Sequence, residues 1–184
     1  MLHHATPEDI AHVNDMSKVE VAQFARCHDL AVWEGRATVA KYWGDDTSGT
    51  PYEVIESEPN LLLTAGITLL WNLLTGAGGT AFNGSNARIA VGDNNAVATA
   101  GQTDLQAVTN KIRQVVDSTP IVSTNTATFV ATFATGSGNF AGGWQEMGVA
   151  NTASGATLLN RLVQNFGVKT SAVAWVATMV LTLN

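Results

Sequence analysis

The side chains best suited to chemistry are concentrated near the start of the chain. The four histidines, His3, His4, His12 and His28, all precede residue 30, and the single cysteine, Cys27, is adjacent to His28. Imidazole and thiolate groups bind zinc, and a thiol activated by histidine is a common nucleophile. The spacing matches no closed zinc pattern, and adjacency along the chain does not create nucleophile–base geometry. The sequence therefore predicts no metal site, and we expect Cys27 to be a partly buried structural residue.

Two other segments that could bind a ligand are predicted to be turns instead. The glycine-rich segment 76–79 follows a predicted helix and lacks the Lys-Ser/Thr pair of a phosphate loop. Segment 92–95 offers oxygen ligands but not the spacing or closing glutamate of a calcium loop. After residue 60 the chain has four acidic residues and no histidine, which leaves little for acid–base catalysis. We predict no catalytic residue and no cofactor, and we do not expect an enzyme.

Charge divides the chain into two unequal parts. Of its 184 residues, those up to residue 60 hold 11 of the 15 acids and 4 of the 9 bases, and the net charge is -6. An acidic chain lacks the basic face of a nucleic-acid-binding protein. Charged residues make up 13% of the chain, against about 25% in ordinary domains. The nearly neutral remainder indicates either a surface covered by partners or a small β-domain with a threonine- and asparagine-rich surface.

Two further expectations concern membranes and export. The longest apolar stretch, 61–74, is interrupted by polar residues and is shorter than the roughly 20 residues that a membrane span needs. The first residues show no basic region followed by an apolar stretch, so we predict no signal peptide.

Hydrophobic periodicity predicts a mainly β protein. Period-two patterns between glycine- and asparagine-rich turns indicate strands at 31–43, 51–58, 87–91, 111–117, 124–134, 143–150, 157–164 and 171–183. Such spacing is typical of an antiparallel β-sandwich or jelly-roll-like domain. We assign residues 1–50 to an acidic N-terminal arm and residues 51–184 to the sandwich. The arm would begin with a helix capped by Thr6, and 18–26 could be either helix or strand.

One helix interrupts the strands at 63–75. Ile67, Leu70, Trp71 and Leu74 recur at helical spacing, which predicts that this face is buried in the core. The glycines that follow predict where the helix ends. A single helical turn is also expected at 103–108.

The five tryptophans divide between core and surface. Trp71 and Trp175 occupy the predicted core positions of their elements. Trp33, Trp43 and Trp144 are the candidates for contacts with a partner, and buried positions remain open for them. Exposed aromatics of this kind could also bind carbohydrate.

From about Tyr52 onward the chain resembles a widespread group of structural proteins of tailed bacteriophages. The matching segments are 58–67, 76–82, 86–93, 129–133, 144–149, 154–161 and 178–183. They consist of ordinary residues, so the resemblance implies no catalytic residues.

The resemblance implies a component of the virion that is assembled in the host cytoplasm. A capsid decoration or cement protein on the outer head surface is expected, with the major capsid protein or other virion proteins as partners. Because the sequence ends directly after its last predicted strand, this compact role is favoured over a long tail fibre. A tail or tail-fibre protein and a carbohydrate-binding module are the alternatives. A homo-oligomer is expected, and a trimer is suggested only by analogy with related decoration proteins.

Overall fold

A computed structural model describes residues 32–57 and 60–184 of the chain. Within these residues, alternating apolar side chains produce ten strands, and one run of helix-forming residues produces a helix. The elements in chain order are β1 (Trp33–Trp43), β2 (Glu53–Glu56), β3 (Leu61–Leu62), α1 (Thr64–Thr75), β4 (Arg88–Gly92), β5 (Lys111–Val115), β6 (Ile121–Ser123), β7 (Thr126–Phe133), β8 (Trp144–Ala150), β9 (Asn160–Gly167) and β10 (Val173–Leu183).

The strands form two antiparallel sheets. Sheet I has the order β2-β1-β10-β7-β6, and sheet II has the order β3-β9-β8-β4-β5. In sheet I, β1 pairs with β10 along its full length, from Trp33 opposite Leu183 to Trp43 opposite Val173. The two sheets enclose a common apolar core, which confirms the predicted mainly β sandwich.

The core follows from the period-two pattern of the strands. One face of each inner strand is apolar, and in sheet I these residues include Val39, Phe133 and Met179. They pack against the equivalent face of sheet II, where Met147 and Phe166 are fully buried. Burial of these side chains is the main force that holds the sheets together.

The predicted boundary between arm and sandwich requires correction. β1 was assigned to the arm, yet it lies between β2 and β10 in sheet I. The sandwich therefore includes residues before 51. Residues 1–31 lie outside the described part of the chain, and with them lie the predicted N-terminal helix, the histidines and Cys27.

The helix forms where expected, but the prediction that its marked face is buried is wrong. Trp71 is 60% exposed and Leu74 is 75% exposed, and Ile67 and Leu70 are also exposed. The buried residues of α1 are Gly66 and Leu69.

The reason for this orientation is close backbone contact. A Cβ added to Gly66 would lie 2.7 Å from Leu159 Cα, so only a glycine allows α1 to approach the backbone just before β9 this closely. α1 has no charged residue and is apolar on more than one side, so spacing alone did not identify its inner face. Gly76, with φ 73°, ends the helix as predicted.

Candidate functional site

An apolar groove lies between α1 and the inner face of sheet I. Its volume is about 680 Å³, and it is lined on the helix side by Leu70 and Leu73. On the sheet side, Trp33, Leu181 and Val122 come from β1, β10 and β6. None of the described residues that line the groove carries a charge. The groove is large enough for a small ligand or for side chains of a partner protein.

Exposed apolar side chains continue from the groove onto its rim. We define the apolar face as the groove together with Leu70, Trp71, Leu74, Val122 and Leu183. Val122 is 75% exposed, and Leu183 is also more than half exposed. Apolar patches of this kind on a domain commonly bind another protein. Of the three tryptophans predicted as candidates for contact with a partner, only Trp33 lies in this region.

The other two candidate tryptophans, Trp144 and Trp43, lie in different environments. Trp144 is fully buried, donates a 2.8 Å hydrogen bond from Nε1 to the Gly138 carbonyl, and packs edge-on against Phe133 and Trp175. The prediction that Trp144 contacts a partner is therefore wrong. Trp175 is buried as predicted.

Trp33 is half-buried and has an internal role as well as a surface one. Its Nε1 donates a 3.0 Å hydrogen bond to Asn60 Oδ1, and Asn60 Nδ2 in turn lies 3.3 Å from the sulfur of Met179. These bonds fix the indole at the floor of the groove. Replacement of Trp33 would consequently perturb the core as well as the apolar face.

Trp43 stands at the opposite end of β1 and is 70% exposed. Its ring stacks on Tyr52 with 4.6 Å between the centroids and an interplanar angle of 26°. Nearby in the same sheet, Lys41 Nζ forms a 2.9 Å ion pair with Glu53 and lies 4.4 Å from the centre of the Trp175 ring. An exposed aromatic pair beside a half-exposed carboxylate is an arrangement that could stack on a sugar and hydrogen-bond to it.

A buried ion pair fastens the long loop 93–110 to sheet II. Arg161 Nε donates a 2.7 Å hydrogen bond to Glu146 Oε2, and both side chains are fully buried. The Glu146 carboxylate also accepts the backbone N–H groups of Gln106 (2.9 Å) and Ala107 (2.7 Å). Arg161 Nη1 donates to the Ala96 carbonyl at 2.8 Å. The Glu146 carboxylate thus accepts three hydrogen bonds from the protein and fixes the loop to sheet II.

A second charged cluster lies at the base of the same loop. Asp104 accepts hydrogen bonds from Lys111 Nζ (2.8 Å) and from Arg113 Nη2. Burial by itself would raise the pKa of Asp104, but these two cations and the Leu105 amide outweigh it and lower the pKa. Asp104 is therefore ionised at neutral pH, and its ion pairs join the loop to β5.

Lys169 is a buried titratable group at the Trp43 end of the sandwich. It is almost fully buried, and its Nζ donates hydrogen bonds to the Ala134 carbonyl (2.7 Å) and to Asn139 Oδ1 (3.1 Å). Burial lowers the pKa of Lys169, and the negative charge of Asp45 partly opposes this effect. Its donors are directed at loop acceptors, so its role there is to join the 134–139 loop to β9–β10.

In residues 32–57 and 60–184, no group of three or more His, Cys, Asp or Glu side chains could hold a metal ion. No helix in that same part of the chain has the length and hydropathy to cross a membrane.

Comparisons with protein-family models, with curated proteins and with solved structures give no match for this chain.

Proposed function

We propose that this chain is a non-enzymatic structural subunit of a tailed-bacteriophage virion that decorates the outer surface of the head. The observation that carries the proposal is the apolar face, which combines a groove of about 680 Å³ with exposed residues of α1. A surface of this kind is best suited to contact with another protein. The sequence resemblance supplies the virion as the place where that contact occurs.

The free energy of assembly would come from covering this face. Each Å² of apolar surface removed from water contributes about 25 cal/mol. Trp71 and Leu74 alone leave most of their surface in water. Because the face carries no charge, its burial requires no charged group to lose its hydration. These properties support contact with another protein chain of the virion.

The segments that carry the resemblance are mostly parts of the scaffold. Segments 86–93, 129–133, 144–149 and 178–183 coincide with β4, β7, β8 and β10. Such segments preserve a fold rather than a catalytic site. They are therefore consistent with a structural role at either the head or the tail.

The test is to locate the protein on purified particles. Mass spectrometry of the virions should detect the chain, and antibody labelling in electron micrographs should mark the head. Label confined to tails would support the tail or tail-fibre alternative instead. Absence of the chain from purified particles would refute both.

A second candidate function, carbohydrate binding, is favoured by the Trp43–Tyr52 pair. The pair is exposed and lies next to Glu53, which could accept hydrogen bonds from sugar hydroxyls. A glycan array should then detect binding that Trp43→Ala abolishes. Trp71→Ala is the matched control, because Trp71 is similarly exposed but belongs to the apolar face. Failure of the unmodified protein to bind any glycan would exclude this function for the sugars tested.

A further inference from the structure

Strand β6 differs from the edge strands β2 and β5 in carrying no charged residue. In the described residues the sheet edges are β2, β3, β5 and β6. β2 carries two glutamates and β5 carries a lysine and an arginine, which are residues that discourage pairing of exposed edges. β3 has only two residues. β6 is uncharged, and its Ile121 and Val122 are 65% and 75% exposed.

The hydrogen-bond pattern leaves the backbone of Val122 directed away from the sheet. In antiparallel pairs, the residues that bond to one neighbour alternate with those that face the other side. The Val130 carbonyl on β7 accepts a hydrogen bond from the Asp117 N–H, on the side of β7 where β6 lies. The Asn125 carbonyl accepts a hydrogen bond from the Leu183 N–H of β10. Thr126 and Thr128 therefore bond to Ser123 and Ile121, their partners in β6. The N–H and C=O of Val122 point outward.

The residues around Val122 also restrict how another strand could pair there. Pro120 has no N–H, so it cannot donate at the preceding outward position. Thr124, with φ 53°, turns the chain away at the other end. A partner strand must therefore be centred on Val122.

We propose that a second copy of this chain docks on the apolar face and pairs its β6 with β6 across a twofold axis. The Val122 residues of the two copies would exchange two N–H···O bonds, which joins the two copies of sheet I into one continuous sheet. The inference deepens the proposed assembly role, and rests on it only for the biological setting.

The uncharged lining of the groove and the open edge of β6 together favour a second copy as the occupant. A twofold axis places each group of a patch opposite the same patch of its partner, so any charged patch would repel itself. Neither the groove nor β6 carries a charge. An interface with a different protein would instead be expected to pair opposite charges, because such pairs give specificity and fast association.

The two strand hydrogen bonds cannot hold such a dimer alone. A stable interface covers about 800 Å² on each partner. The additional area must come from the groove, whose lining joins Leu70 and Leu73 of α1 to Val122 of β6. Substitutions on either element should therefore weaken the dimer.

The test is the mass of the full-length protein in solution, measured by sedimentation equilibrium and light scattering. The expected mass is twice 19.3 kDa. Val122→Pro removes the outward N–H without breaking a bond within the sheet, and should weaken the dimer roughly 10- to 100-fold. Val54→Pro is the matched control, since the N–H of Val54 points outward from β2 at the opposite edge of sheet I.

Two further measurements keep the result interpretable. Circular dichroism and thermal melting should show that both proline variants remain folded. Val122→Lys should also give monomers, because it places like charges together on the axis, whereas Val54→Lys should remain dimeric.

Several outcomes would overturn the inference. A monomer at about 100 µM, well above the micromolar Kd of a weak complex, would do so. A trimer would do so too, because a strand pairs with itself only across a twofold axis. A dimer that survives both Val122 substitutions would place the interface elsewhere. A dimer that depends on Val122 in a protein absent from virions would support the inference and refute the proposed function.

Discussion

Replacement of Glu146 by glutamine tests whether the buried ion pair stabilises the fold as the structure indicates. Glu146 Oε2 accepts hydrogen bonds from Arg161 Nε and the Gln106 amide, and Oε1 accepts one from the Ala107 amide. In Glu146→Gln one of these oxygens becomes an NH₂ group, which must face at least one donor. Arg161 would also keep its charge in a fully buried position, where its Nη2 already has no hydrogen-bond partner.

The expected loss is about 3–5 kcal/mol of unfolding free energy, the usual cost of removing one partner from a buried pair. Urea denaturation at neutral pH, followed by circular dichroism, measures it. Glu53→Gln is the matched control, because Glu53 is half exposed in its ion pair with Lys41 and should cost less than about 1 kcal/mol. A loss below about 1 kcal/mol for Glu146→Gln would refute the argument that this pair organises loop 93–110.

Four other substitutions probe separate features. Trp71→Ala should change the unfolding free energy by less than about 1 kcal/mol, since Trp71 is mostly exposed, whereas Trp144→Ala should cost about 3–5 kcal/mol in the same urea titration; similar losses in the two variants would contradict the orientation of α1. Gly66→Ala should destabilise by about 1–3 kcal/mol in thermal melts even though alanine favours helices, because its Cβ would meet the backbone of Leu159; a raised melting temperature would count against this contact. The lowered pKa of Asp104 means that its ion pairs stabilise the fold above its ordinary value of 3.8 and lose this effect as the pH falls through the lower folded value. Unfolding titrations from about pH 5 to pH 2 should accordingly find a weaker acid dependence in Asp104→Asn than in the unmodified protein, and equal slopes would disprove the role of these pairs.

The strands were predictable from sequence because their periodicity is physical. In β10 the alternation of Trp175, Ala177 and Met179 with more polar residues matches burial on one face of the sheet. The same rule located β1, β4, β7 and β8 within a few residues. Short edge strands gave no such signal, since the two residues of β3 and the three of β6 cannot display a period.

Tertiary contacts determined what the sequence did not reveal. The helical pattern of Ile67, Leu70, Trp71 and Leu74 predicted a buried face, but the absence of a side chain at Gly66 decided which side of α1 packs. Charge composition set the arm boundary at residue 50, although β1 belongs to sheet I through its pairing with β10.

The candidate site was the least predictable part. The apolar face brings together residues from α1, β1, β6 and β10, and of these elements β1 and β10 are separated by more than a hundred positions along the chain. Only Trp33 among the predicted contact residues lines it. A possible signal was the complete lack of charge in α1, which a solvent-exposed helix rarely shows.

The pairing of β1 with β10 has a consequence for the order of folding during synthesis. Residues 33–43 cannot complete their hydrogen bonds until residues 173–183 have left the ribosome, so the centre of sheet I forms late. Contacts between such distant segments make folding slow, since a long loop must close before they contribute energy. Until then Ala37 and Val39 remain uncovered on the nascent chain, and chaperone binding or aggregation would occur in that interval.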